Sequence, residues 1–562
     1  MPAYAQLDLS GDYPRPVEVR FTDLERSEII DLVRREQLDV EGMRIYLKPG
    51  QYEALKDRGY SMEIIPHPLE DDPGLIAGWP TFAELTAELQ DIANDNPDLC
   101  RLYNIGKSVQ SRELWFMKIS DNVDIDEDEP EFKYISSMHG DEVTGMALCM
   151  NLINLLVDDH GSDPQITNLV DEVEIWIMPL MNPDGYVNQS RYNAQGKDLN
   201  RDFPDRVIDP VNTTVGRATE TKRVMKWGFA HQAVLSANLH GGALVVNYPY
   251  DSDPNPHAHY SATPDDDLFI AQSLVYSSLN PPMYNSSWFP NGITNGIAWY
   301  LVYGGMQDWN YVWMGCNDVT IELGSNKWPS WSQIPAYWDD NRDAMLAYMA
   351  ECLKGVRGIV TNSVTGQPLD AVVEVKGRDH EVYTDPVIGD YHRMLLPGTY
   401  TLRFSAYGYV QQDISAVIVT AGPATRLDVG LVPDGSLVCD TPEVYTSGGT
   451  AEFTLMAGAG NASRNYLLLG SLSGTSPGYL LPGGLATLPL NWDDFTVLVL
   501  SMVNFPVFAD FLGKLDGNGN AWAQLNMPHL PPTAAGLVMY FAFTLNNPFD
   551  FASDPVEIEI LL

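Results

Sequence analysis

Three observations predict the fold class of this chain. Strand-like and helix-like patterns alternate from residue 79 to about residue 355. After Gly355 they give way to short alternating strands divided by Gly, Pro, Ser and Thr turns, and a short mixed segment precedes both regions. The expectation is an α/β protein with a mixed central sheet flanked by helices, followed by two all-β, sandwich-like domains and preceded by a small α/β N-terminal unit. At 562 residues the chain is too long for one core. The boundaries fall at 1–75, 76–355, 356–433 and 434–562.

In the first unit, Val17–Phe21 alternates as a strand, Leu24–Arg35 has helical periodicity, and Met43–Leu47 and Met62–Ile65 read as further strands. The acidic, Pro-containing segment from Pro66 to Gly74 reads as a linker. In the central domain, Phe82–Ala93 is an amphipathic helix. Strands follow at Leu114–Ile119 and Phe132–Met138, with the acidic turn Asp121–Glu131 between them. Thr144–Val157 is helical and Glu172–Met178 is a strand. Helices are expected near Glu220–His231, Asp266–Ser278 and Trp338–Lys354. From Val356 to Pro433, turns such as Leu396-Pro397-Gly398 divide the strands of a β-sandwich, and the last segment ends in the alternating Val556–Ile560.

Hydrophobic residues make up 45% of the sequence, so most of the chain is expected to fold. Lys and Arg number 33 against 75 Asp and Glu, a formal charge of -42. That balance argues against nucleic acid and anionic membrane as partners and favours cationic ligands. Its plainer cause is a solvated acidic surface. The five cysteines include no CxxC pair, which speaks against a cysteine metal site and against disulfides as the main stabiliser. No transmembrane helix is expected, since the apolar run Ala534–Leu545 is too short, and no signal peptide is recognised at Met1–Tyr4.

Three short stretches carry the chemistry: Met138-His139-Gly140-Asp141-Glu142, Leu239-His240-Gly241-Gly242 and Thr320-Ile321-Glu322-Leu323. Each ends a strand-like run, at Phe132–Met138, Val234–Leu239 and Asp318–Ile321. Ligands of open α/β sheets gather at the carboxyl ends of strands, so these groups are expected to converge. Two His and one Glu, with a fourth position left for water, make a catalytic zinc set.

With further motifs in the same order, these residues resemble the zinc metallocarboxypeptidases, specifically the carboxypeptidase N/E/M/D subgroup. The motifs are Asn182-Pro183-Asp184-Gly185-Tyr186, Asp198-Leu199-Asn200-Arg201-Asp202-Phe203-Pro204, Asn247-Tyr248-Pro249-Tyr250-Asp251, Gly292-Ile293-Thr294-Asn295-Gly296 and Gly304-Gly305-Met306-Gln307-Asp308. The following sandwich is similar to the subgroup's transthyretin-like domain, through Gly389-Asp390-Tyr391-His392-Arg393 and Pro397-Gly398-Thr399-Tyr400. One departure is Asp141, where animal members usually carry Asn.

The resemblance implies a role for each site residue. His139, Glu142 and His240 would ligate one Zn²⁺, leaving it a net positive charge that lowers the pKa of water to ~7. Glu322 would be general base and acid, and Arg191 would polarise the scissile carbonyl. Asn200 and Arg201 would hold the terminal carboxylate, which a guanidinium fork grips bidentately. Tyr300 would close over the substrate. Asp251 and Gln307 would receive a basic side chain, giving preference for C-terminal Lys or Arg on peptides and proteins. The architecture further implies a secreted, periplasmic or cell-surface enzyme, with the C-terminal β domain as a possible attachment module and the N-terminal unit as prosegment-like.

Other readings stay open at this level. Tyr300, beside Trp299, also fits simple core packing. Asp251 also fits a turn or a Ca²⁺ site with Asp253, and Ca²⁺ is a lesser option for Asp121–Glu131. His257-Ala258-His259 reads better as a surface loop than as a metal pair. At the level of function, the alternatives are a same-fold enzyme acting on non-basic or cell-wall peptide termini and a catalytically silent binding protein.

Overall fold

The structure is a computed structural model that describes residues 17–562 apart from 37, 42–43, 68 and 70–71. The opening Met1–Tyr4, and Met43 at the start of one expected strand, lie outside the described residues. The chain divides into two compact units. The first comprises residues up to Gly355 with His392–Gly398 and Val419–Ala424, and the second holds the rest.

The first unit contains two sheets. Strands β1 (Val17–Phe21), β2 (Asp39–Glu41), β3 (Arg44–Leu47) and β4 (Met62–Ile64) form a small antiparallel sheet in the order β2-β3-β1-β4. Helices Arg26–Glu36 and Pro49–Asp57 accompany it. Its core is Val19, Leu32, Ile45 and Leu47, all almost completely buried. The segment read as a linker carries one anchor, Leu69, buried in the main core, and beyond it Trp79 is buried there too, its indole N–H donating to the Pro329 carbonyl at 3.0 Å.

The main sheet has eight strands: β5 (Cys100–Lys107), β6 (Glu113–Ile119), β7 (Glu131–Ser136), β8 (Glu174–Met178), β9 (Ala233–His240), β10 (Leu244–Tyr248), β11 (Ile293–Asn295) and β12 (Asn317–Leu323). Their order is β11-β10-β12-β9-β7-β8-β6-β5. The central four, β12, β9, β7 and β8, run parallel, while β10 on one side and β6 on the other pair antiparallel to them. This is the expected mixed sheet. All eight residues of β9 are buried, as a central strand covered on both faces requires. On one face lie helices Thr144–Asp159 and Ile334–Met349, with Leu148, Leu152, Met345 and Met349 in the core. On the other, Trp176, Trp227, Met306 and Trp309 form a second core.

The helices begin where side chains satisfy their first N–H groups. Thr81 and Glu84 cap Phe82–Asp95 reciprocally, and Asp163 accepts from Gln165 and Ile166 at the start of Pro164–Glu172, a helix that replaces the first residues of the expected strand at 172–178.

The second unit is all-β except for short helical turns and one helix, Asp494–Ser501, which interrupts the expected strands. Residues 356–433 form two sheets. In one, Glu381–Tyr383, Val372–Val375, Gly398–Ser405 and Gln412–Val419 are neighbours in that order, and in the other Val356–Asn362 runs beside Val429–Pro433. The last segment forms a four-stranded and a five-stranded sheet around Phe453, Phe511 and Phe541, and a separate two-stranded sheet. All five cysteines are buried free thiols, so they do not staple these modules.

Leu239, 1% exposed in β9, holds the end of the central strand against the helical layer. Leu239→Ala is expected to cost about 2–5 kcal/mol in the unfolding transition of the first unit, read by urea titration with tryptophan fluorescence.

Candidate active site

Because β7, β9 and β12 are parallel neighbours, their carboxyl ends share one edge of the sheet. Register fixes the alignment: Ser136 stands opposite Leu239, and Glu322 opposite His240. Past β7 the chain bends at Ser137, whose φ is 53°, and delivers His139 and Glu142 to that edge before the helix Thr144–Asp159 starts. Gly140 has to be glycine here, since a Cβ would lie 2.1 Å from the Gly185 carbonyl carbon. The Glu142 N–H donates to the His139 carbonyl at 3.2 Å, and the Ser137 hydroxyl donates to the Glu142 carbonyl at 3.0 Å.

The three expected ligands meet. His139 Nδ1 is 3.0 Å from Glu142 Oε1, His240 Nδ1 is 2.8 Å from Glu142 Oε2, and the two Nδ1 atoms are 3.0 Å apart. All three side chains are buried. His139 Nε2 lies 3.0 Å from Asp198 Oδ1, so its proton belongs there and the Nδ1 lone pair faces inward. Two imidazole nitrogens facing each other beside a carboxylate form the donor set of a divalent zinc-type cation, so the residues fit the metal.

Around this cluster the charges are tightly arranged. The Lys327 ammonium sits 2.9 Å from Glu142 Oε1, and Arg191 Nη1 is 3.2 Å from the same oxygen. Burial alone would raise the Glu142 carboxyl, but His139 and Lys327 overcome it and hold it well below the usual carboxylate range. Asp198 behaves likewise, with Arg191 and His139 outweighing its burial. Its carboxylate orients three groups: His139, the Arg191 Nε–H at 2.9 Å and the Asn200 N–H at 2.9 Å.

That last bond places Asn200 and Arg201, for Asp198 caps the turn Leu199–Arg201. Asn200 Oδ1 accepts from the Met306 N–H at 2.9 Å, tying this turn to the helix Met306–Met314. A Cβ on Gly305 would stand 3.2 Å from Asp251 Oδ2 and 3.7 Å from Asn200 Oδ1, so the two side chains flank one glycine. Gly296 borders the same carboxylate, where a Cβ would lie 2.1 Å from Asp251 Oδ1. Asp251 is 2% exposed and accepts from Asn247 Nδ2 at 3.1 Å. Burial first, and then the charge of Asp308, push its carboxyl well above the usual range. Asp308 is itself raised to about 6, chiefly by burial, although the Asp251 and Ser252 N–H groups donate to it. Gln307 is buried, and neither end of its amide has a hydrogen-bond partner among the described residues.

Of the residues expected from the sequence, His139, Glu142, His240 and Arg191 meet at this edge, while Asn200 and Asp251 flank Gly305. The β2–β3 hairpin makes two contacts here: its Val40 carbonyl accepts from Arg201 Nη2, and its Tyr46 ring lies over the Arg191 guanidinium, 4.4 Å from ring centroid to carbon. Tyr300 follows the short helix Gly296–Trp299 and packs against the apolar core of the N-terminal sheet. Asp253 has partners of its own: its carboxylate lies 3.6 Å from Arg206 and accepts from the Ser261 hydroxyl. His259 Nδ1 contacts the His257 carbonyl in an exposed loop. Sequence reasoning assigned no role to Asp198, Lys327, Asp308 or Tyr46. Asp198 carries the local signal of an N-cap residue two positions before Asn200. The other three gain their roles only through tertiary contacts.

Asp198→Asn is expected to lower Zn²⁺ affinity by about 10–100-fold, because it weakens the hold on the outer nitrogen of His139. Competition against a chromophoric chelator measures this without any substrate.

The zinc carboxypeptidase family model matches residues 85–344, and the carboxypeptidase regulatory-like domain matches residues 355–432. Human (Homo sapiens) carboxypeptidase D is 45% identical over 348 residues, covering 58% of this chain and 25% of that protein. The chain thus spans only a quarter of that relative's length. Carboxypeptidase SOL1 of Arabidopsis thaliana is 40% identical over 365 residues, 64% of this chain and 74% of that protein. The carboxypeptidase N catalytic chain of Mus musculus is 38% identical over 383 residues, 61% of this chain and 83% of that one. With relatives of about 40% identity covered over most of their length, the chain belongs to the zinc carboxypeptidase family.

Proposed function

We propose that the chain is a zinc-dependent carboxypeptidase that removes C-terminal Lys or Arg from peptides and proteins. The observation that carries this reading is the position of Asp251, a buried carboxylate sharing Gly305 with Asn200. A pocket acid beside a carboxylate clamp suits a residue that carries a terminal carboxylate and a cationic side chain.

Zn²⁺ held by His139, Glu142 and His240 would supply Lewis acidity and lower the pKa of water to ~7. The remaining work falls to the protein. Arg201 and Asn200 bind the terminal carboxylate, which limits cleavage to the last bond. Arg191 donates to the scissile carbonyl oxygen as charge develops there, with Asp198 fixing the guanidinium plane. Glu322, beside His240 in the sheet, takes the proton of the attacking water on its carboxylate and passes it to the leaving amine. Tyr300 closes over the bound residue and excludes solvent. Asp251 and the Gln307 amide receive the basic side chain, and the acidic surface draws cationic peptides, less so at high salt.

Among the described residues no helix is long and apolar enough to cross a membrane. The all-β modules accord with a secreted, periplasmic or cell-surface setting in which residues 434–562 attach the enzyme to its surroundings.

Glu322→Gln is expected to lower kcat by ~10²–10⁴-fold while zinc content, measured by metal analysis, stays unchanged. Asp251→Asn should reduce kcat/KM at least about 30-fold for an Arg-ended peptide and leave a Phe-ended peptide little changed. Equal losses on both substrates would refute the pocket assignment. The pH dependence has a definite sign. Asp251 titrates above the usual carboxylate range, with Asp308, Asp205, Arg201 and Asn247 acting on it. As pH falls through that range the pocket loses its negative charge, so KM for Arg-ended substrates rises while KM for Phe-ended substrates does not.

A further inference from the structure

Residues 465–509 differ in surface chemistry from the rest of this acidic molecule. Their only charged side chains are Asp493 and Asp494, in a chain that is 19% charged overall. The same stretch exposes large apolar side chains: Tyr479, Leu480, Trp492, Val497, Leu498 and Phe505 are each 37% to 62% exposed.

Polar groups hold these side chains in place. Asp493 accepts from the Ser471 hydroxyl at 2.9 Å, from the Leu472 and Ser473 N–H groups at 2.8 Å and from the Thr496 N–H at 2.9 Å. It thereby joins the end of the strand Asn465–Ser471 to the first turn of the helix Asp494–Ser501. Asn491 donates to the Ser473 carbonyl at 2.8 Å and accepts from the Gly478 N–H at 3.2 Å, which seats the ribbon carrying Tyr479 and Leu480. The Tyr479 and Trp492 rings meet with centroids 4.6 Å apart. The helix buries Thr496 and Val499 and leaves Val497 and Leu498 outward. A helix apolar on both faces calls for cover on both. Beyond it, Phe505 lies on a turn that Asn504 fastens to Leu512, donating to its carbonyl at 2.8 Å and accepting from its N–H at 3.0 Å.

We propose that this face seats the protein in the headgroup layer of an uncharged lipid surface. It deepens, and rests on, the proposed attachment role of residues 434–562. Three features favour lipid over other occupants. Trp and Tyr, with an apolar body and a polar edge, beside Leu, Val and Phe make the composition of an interfacial face. The Asp493 and Asn491 side chains are engaged in internal bonds, and the two rings are inclined by 42° rather than coplanar, which suits a sugar platform poorly. A second copy would bring another charge of -42 toward the first, and an anionic membrane would repel the molecule in the same way.

The test floats the full, zinc-loaded chain through a density gradient with phosphatidylcholine vesicles. Two variants alter the face: Val497→Glu with Leu498→Glu on the helix, and Leu480→Glu on the ribbon. A control, Ile418→Glu with Val432→Glu, makes the same charge change at exposed positions of the preceding domain. Thermal unfolding checks that each is folded, and arginine release from a soluble Arg-ended peptide judges the carboxypeptidase reading independently of lipid. The unaltered chain and the control are expected to float with the vesicles. Both face variants should lower the partition coefficient by about tenfold or more. Added phosphatidylserine should weaken flotation at low salt, and high salt should restore it. No flotation of the unaltered chain overturns the inference. Equal flotation of folded face variants also overturns it, while leaving attachment by another surface of residues 434–562 standing. A dimer in sedimentation that the face variants dissolve, without vesicle binding, overturns it in favour of a second copy.

Discussion

Two imidazole nitrogens held 3.0 Å apart, each against an oxygen of one buried carboxylate, form the constraint on which the rest of this structure turns. Such a cluster is expensive to assemble without a cation to share. It exists because three parallel strands end at the same level and register puts Glu322 beside His240. Asp198, Arg191 and Lys327 then balance charge around it. The sheet is therefore the instrument that brings together residues separated by nearly two hundred positions.

The site has two compartments built from different devices. The His139–Glu142–His240 cluster is held by hydrogen bonds within the protein. The pocket around Asp251 is defined instead by what is missing: glycines at 296 and 305 leave room beside a carboxylate that the protein only partly satisfies. Asp308 stands behind it, fixed by the Asp251 and Ser252 backbone N–H groups. Two acids in a dry environment push each other toward the neutral form, and a cation bound beside them, as the proposed specificity requires, would relieve that tension.

Much of this was legible in the sequence. The strands carrying His139, His240 and Glu322 were readable because buried parallel strands are continuous apolar runs with their chemistry at one end. Helices such as Asp266–Ser278 followed from periodicity. What escaped were features with no local signature. The edge strand β5 is polar and half exposed, so its pattern is weak. The helix Pro164–Glu172 was hidden beside a strand that began two residues later than its apolar run suggested. Lys327 looks like an ordinary surface lysine in a loop, and only tertiary packing reveals it fully buried against Glu142. The segment from Pro66 to Gly74 has linker composition, yet Leu69 is buried; composition reports solubility, not anchorage.

The contact between Val40 and Arg201 has an evolutionary corollary. The group that meets the guanidinium is main chain, and every amino acid possesses it. Drift at position 40 therefore leaves the hydrogen bond in place so long as the hairpin keeps its path. Comparing sequences among descendants would show a variable position where chemistry is unchanged. Selection seeking to loosen or tighten this union would have to work through neighbouring rings and acids, or through the shape of the turn itself.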